Sequence, residues 1–165
     1  MKLLYRLFLS ILFFSFISCS NQTEVNLEEE RQQVMEVLDN FVKAHEEKDL
    51  EMLLSCFSDK PDITIIGTDR DELWVDKVSM GDAQKRAYGT FDVVKLSVRD
   101  KILKLCPDGE IAWFYTKVNW YVESEGETLT FDGIRTTGVL EKTNDKWAIA
   151  QIHTSMPIEG QAVRY

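Results

Sequence analysis

From Val34 to Phe57 the apolar positions fall at helical spacing, whereas from Val93 onward they tend to alternate. Val34, Val37, Leu38, Phe41 and Val42 mark one buried face of a first helix, and Asn26 followed three residues later by Glu29 predicts its N-cap with a reciprocal acceptor. Asp49 predicts the cap of a second helix in which Leu50, Leu53, Leu54 and Phe57 share a face, ended by "SDKPD". The β-branched run "ITIIG", Ile63 to Gly67, reads as a strand. The acidic stretch "TDRDELWVD" reads as a loop or irregular hairpin, and Asp82 as the start of a short helix through "AQKRAY". Four strand-like runs follow, divided by the turn signals "PDG", "ESEGE" and "TND". In the first of them Leu96 and Val98 share one parity and Leu103 and Leu105 the other, which predicts a bulge at "RDK". Helices first and an antiparallel meander afterwards give an α+β class. In the last run, "WAIAQIHTSMP", strict alternation puts Trp147, Ile149, Gln151, His153 and Ser155 on one side and Ala148, Ala150, Ile152 and Thr154 on the other.

The start of the chain follows another pattern. Lys2 and Arg6 precede an apolar run, Leu7 to Ile17, too short for a comfortable bilayer span, which reads as a secretory signal over residues 1–18. The closing "FISC" resembles the lipobox of bacterial lipoproteins, which implies lipid attachment at Cys19, a tether over 19–26, and a location in the cell envelope on a membrane the chain does not cross. A single domain over 27–157 and a short tail over 158–165 complete the layout. The chain carries 28 acidic and 19 basic residues, a net charge of −9, and loss of Lys2 and Arg6 with the signal brings it near −11. Such a balance argues against nucleic acid as a partner, which needs a basic footprint. Cys56 and Cys106 lie in different elements and are expected to stay unpaired.

Taken in order, "KDLEMLLSCFSD", "ITIIG", "MGDAQ", "EIAWFY" and "GVLEKTNDKWAIAQIHTS" resemble the SnoaL-like branch of the nuclear transport factor 2-like superfamily, from about Glu28 to Ser155. The resemblance implies a cone: a strongly curved, mostly antiparallel sheet wrapped around N-terminal helices, with a pocket at its wide end. It also implies a range of roles, including isomerases, dehydratases, cyclases, epoxide hydrolases and non-catalytic binding or assembly domains, so the fold does not choose among them.

If the last hairpins are regular, Tyr115, Arg135 and His153 form one row of the sheet, with Trp113, Thr137 and Gln151 beside it. Ala112, Phe114, Thr116, Ile134, Thr136, Gly138, Ala150, Ile152 and Thr154 then face the other way. A catalytic reading of the first row makes His153 an acid or base, with Arg135 or Tyr115 holding a developing oxyanion. The preferred reading makes it the outer surface of the sheet or a homodimer contact. Similarity to the association domain of calcium/calmodulin-dependent kinases implies that the smaller face lines the pocket, since two pocket arginines there match Gly138 and Thr154. Both arginines are absent here. Ketosteroid isomerases place a general-base Asp in the strand matching "ITIIG" and a Tyr on the first helix, and neither is present.

Pocket residues are accordingly expected at Phe41, Phe114, Ile134, Thr136, Gly138, Ile152 and Thr154. His45 near the end of the first helix is read as a solvated or capping histidine in preference to a pocket group. Asp69, Asp71 and Glu72 are read as a solvated acidic loop, and Trp113, Trp120 and Trp147 as core or interface. No metal or cofactor motif appears. The expectation is a membrane-anchored homodimer binding a small apolar molecule without catalysis. The enzymatic alternative is a lyase, isomerase or hydrolase using His153 with Arg135 and Tyr115, or His45; an assembly domain with a vestigial pocket is the third.

Overall fold

The computed structural model describes residues 25–158 and 160; the signal, Cys19, most of the tether and the end of the tail lie outside the described residues. Helix α1 spans Leu27–Glu47, and the Asn26 side chain accepts from the Glu29 backbone N–H at 3.3 Å. Three glutamates occupy its first turn, where the helix dipole favours negative charge. The helix ends at Lys48, whose left-handed backbone (φ 55°) turns the chain. Asp49 then caps α2 (Leu50–Ser55) by accepting from the Met52 N–H at 2.9 Å.

The short strands β1 (Thr64–Ile66) and β2 (Leu73–Trp74) form the irregular hairpin expected at the acidic stretch. Helix α3 spans Lys77–Thr90, so it begins earlier than Asp82; Asp76 is the cap, accepting from the Ser79 N–H at 2.8 Å. The long strands β3 (Val93–Leu105), β4 (Ile111–Ser124), β5 (Glu127–Thr143) and β6 (Lys146–Ser155) complete one six-stranded sheet in the order β2-β1-β6-β5-β4-β3. Only β1 and β6 run parallel. This is the expected α+β cone, with N-terminal helices packed in a curved sheet.

Three irregularities shape the sheet. The expected bulge in β3 is present: Val98 faces Val118 and Asp100 faces Lys117, leaving Arg99 as the extra residue. A second lies between Val118 and Trp120 of β4. The third corrects the alternation drawn through the last strand. Val139 pairs with Gln151 and Leu140 with Ile149, so Ala150 is the extra residue and the facing of β6 reverses there. Trp147 and Ile149 therefore point inward with Ile152, and not outward with His153. Strand register also differs from the expected row by two residues: Tyr115 faces Thr137, which faces His153, while Arg135 lies between Lys117 and Ser155.

The core joins Val34, Leu38 and Ala44 of α1 with Leu53, Phe57, Ile63, Leu140, Trp147 and Ile149. A buried carboxylate borders it. Glu30 accepts from Lys142 Nζ and from Trp147 Nε1, each at 2.7 Å, fastening the first turn of α1 to β5 and β6. The Lys142 hydrogen bond holds the Glu30 carboxyl below its usual range against the opposing effect of burial. Cys56 and Cys106 are free thiols, and burial pushes Cys56 up to about 11, where it is inert at neutral pH.

Candidate functional site

The curved sheet and the three helices enclose a cavity of about 490 Å³. Its wall is built from α1 (Leu38, Phe41, Val42, His45), the β1–β2 hairpin, α3 (Gln84, Ala87, Tyr88) and the inner faces of β3 to β6. Most of this surface is apolar, and its size suits a small organic molecule.

Of the residues expected in the pocket, Phe41, Phe114, Thr136, Ile152 and Thr154 line it. Ile134 and Gly138 do not: Ile134 is fully buried in the sheet, and Gly138 lies beneath the Phe114 ring. A Cβ at Gly138 would sit 2.6 Å from that ring and 2.5 Å from the Gln151 carbonyl, so only glycine fits. The place where the resemblance puts an arginine is thus occupied by Phe114. Thr116, Thr136 and Thr154 lie side by side across three strands and line the cavity together, with the last two hydroxyls 3.4 Å apart.

His45 departs from the expected solvated or capping role. It lines the cavity, with its ring edge-on to Phe41 and Tyr88 at centroid distances of 4.7 and 5.9 Å and 6.3 Å from Trp120. Its Nδ1 is 3.1 Å from the Tyr88 hydroxyl, which also lies 3.3 Å from the Ala44 carbonyl. Burial lowers the imidazole to about 4, so the ring is neutral at physiological pH, and burial likewise raises the Tyr88 phenol. No carboxylate hydrogen-bonds this imidazole among the described residues. Trp120, expected in core or interface, lines the cavity as well, whereas Trp147 is core and Trp113 is exposed.

Asp69 and Glu72 border the cavity from the β1–β2 loop, and the Glu72 carboxylate accepts from the Asp69 N–H at 2.9 Å. Glu72 therefore ties the loop and is not a free surface charge. Lys101 is the one lysine or arginine in the described wall, and Asp39 holds its ammonium at 2.8 Å. No group of acidic, histidine or cysteine side chains suited to a metal ion occurs among the described residues.

The other candidates lie outside the cone. His153 and Arg135 are exposed, Tyr115 is half-buried, and none lines the cavity. Arg135 donates to the Met156 carbonyl at 3.4 Å and shares a shallow outer groove with Tyr115, Lys117 and Arg99 that does not include His153. The three do not converge on a reacting centre.

Among solved structures, the chain is similar to a nuclear transport factor 2-like superfamily protein from Salmonella enterica, with a TM-score of 0.73 and 17% identity over 84% of this chain and 99% of that one. A candidate dehydratase of the same superfamily from Streptomyces avermitilis gives 0.70 and 16%, over 79% and 99%. A candidate scytalone dehydratase from Novosphingobium aromaticivorans gives 0.69 and 9%, over 82% and 89%. At these identities the likeness is one of fold. No curated protein matches the sequence. The family model described as the SnoaL-like domain matches residues 34–159, most of the chain and nearly all of the helices and sheet just described, and the protein belongs to that family.

Proposed function

We propose that the protein binds a small, largely apolar molecule in the cavity and releases it unchanged, and that a lipid on Cys19 holds the domain at a bacterial membrane. The binding reading is carried by the contrast between a large apolar wall and the chemistry within it. The imidazole in that wall has a phenol for its ring partner, and at about 4 its affinity for a proton is too low for an efficient general base at neutral pH. The neighbours named as dehydratases, together with the position of His45 in the wall, favour elimination as the second reading. Consumption of a bound molecule by the wild type, lost in His45→Phe, would replace the first reading with the second.

Titration with N-phenyl-naphthylamine, an uncharged dye that fluoresces in apolar surroundings, tests binding directly. Saturable one-to-one uptake is expected, abolished in Ala87→Trp, which fills the cavity from α3 without burying a charge; melting of the variant checks that it is folded. Absence of uptake by the wild type would refute the binding reading. Support for the anchor comes from the basic head, the short apolar run and "FISC". Growth with a labelled fatty acid should mark the wild type and leave Cys19→Ala unmarked; equal labelling of both would remove the anchor.

A further inference from the structure

We infer that the cavity selects an uncharged molecule carrying a hydrogen-bond donor, a hydroxyl or N–H group, which it delivers to Nε2 of His45. The inference rests on the binding reading above and specifies the ligand for that same site. Two independent features of the wall lead to it.

The first is charge. An anion entering an apolar chamber must find a cation or remain largely in water, because burial of an unpaired charge is costly. Lys101 supplies the wall's ammonium group, and Asp39 already holds it at 2.8 Å. Asp69 and Glu72 border the same space with like charge, and the positions matching the pocket arginines of the kinase association domain are Gly138 and Thr154. Carboxylates and phosphates therefore meet like charge from Asp69 and Glu72 and, among the described residues, no free counter-charge inside.

The second feature is the direction of the His45–Tyr88 hydrogen bond. Tyr88 has one hydroxyl proton and two neighbours in reach, the Ala44 carbonyl at 3.3 Å and His45 Nδ1 at 3.1 Å. Donation to the carbonyl leaves the phenolic oxygen free to accept from Nδ1–H, and two hydrogen bonds form. Donation to Nδ1 leaves one. The carbonyl lies in the last turn of α1, at the negative end of the helix dipole, where it also accepts from the Asp49 N–H at 2.9 Å. The first arrangement fixes the proton of the neutral ring on Nδ1, so Nε2 carries a lone pair. No partner for Nε2 occurs among the described residues, and the ring belongs to the cavity wall. A ligand donor is what completes it.

Displacement of N-phenyl-naphthylamine by three molecules of nearly equal shape separates the possibilities. Naphthol offers a donor, its methyl ether only an acceptor, and naphthoate a negative charge. Naphthol is expected to bind about fivefold to tenfold tighter than the ether, the worth of one hydrogen bond to a buried acceptor. Naphthoate is expected to be the weakest of the three. In Tyr88→Phe the Nδ1 proton loses its acceptor, and the ratio of naphthol to ether affinity should fall toward unity; His45→Phe should lower the same ratio with Tyr88 intact. Equal binding of naphthol and ether by the wild type, or naphthoate binding as tightly as naphthol, would overturn the inference and leave the binding reading standing. Failure of the dye to enter the wild type would overturn both.

Discussion

His45 shows how a single side chain can report on its surroundings. Its folded value of about 4 lies below the ~6.5 of an unfolded histidine, so between these values the unfolded chain takes up a proton that the folded chain refuses. Stability is complete above the unfolded value and is lost as pH falls toward 4, by on the order of 2–3 kcal/mol for a ring that is partly screened by the open cavity. Urea midpoints measured across this window should drop for the wild type and stay flatter in His45→Phe; an identical slope in both proteins would contradict the buried neutral imidazole. Glu30 acts at lower pH, since its carboxyl is held below its usual range and its contribution is lost only as pH falls further. At this scale the sequence was half legible. The four-residue step from Phe41 puts His45 on the apolar edge of α1, yet a histidine two residues from the helix end suggests solvent. Its hydroxyl partner lies 43 residues away on α3, and no local pattern connects the two.

Elements were legible where side-chain size carries phase. The β3 bulge could be read because large aliphatic residues stand on both sides of "RDK" with opposite parity. The β6 bulge could not, because the extra residue is Ala150 and its neighbour two positions earlier is Ala148; methyl groups fit either face. Missing it left Trp147 and Ile149 on the wrong side, although the residues past the bulge, Ile152 to Thr154, kept the facing assigned to them. The beginning of α3 was obscured by Gly81, which argues against a helix interior. In the structure this glycine lets α3 approach α2, where an added Cβ would meet the Leu54 side chain at 3.3 Å. Capping residues were read correctly for α1 and α2, where Asn26 and Asp49 each stand directly before the leucine that opens the helix, while α3 offers both Asp76 and Asp82.

For the whole molecule the outer face of the sheet divides into two halves. Ile102 and Trp113, 55% and 45% exposed, lie toward one end, Arg99, Lys117 and Arg135 gather toward the other on a chain of net charge −9, and Tyr115 stands between them, beside Ile102 and in the basic groove. We propose that the aromatic half pairs two copies of the chain about a twofold axis, which keeps the two basic ends apart. Sedimentation should give a dimer for the wild type and a monomer for Trp113→Glu; a wild type that stays monomeric at all concentrations would exclude this contact. The cavity opens on the opposite side of the sheet, so pairing leaves it accessible.

The attachment of Glu30 has a mechanical meaning. Any pull arriving along the segment before Val25 enters the domain at the first turn of α1, where an ion pair and an indole hydrogen bond clasp two neighbouring strands. Load entering there is then shared by the β5–β6 hairpin instead of peeling the helix away one turn at a time.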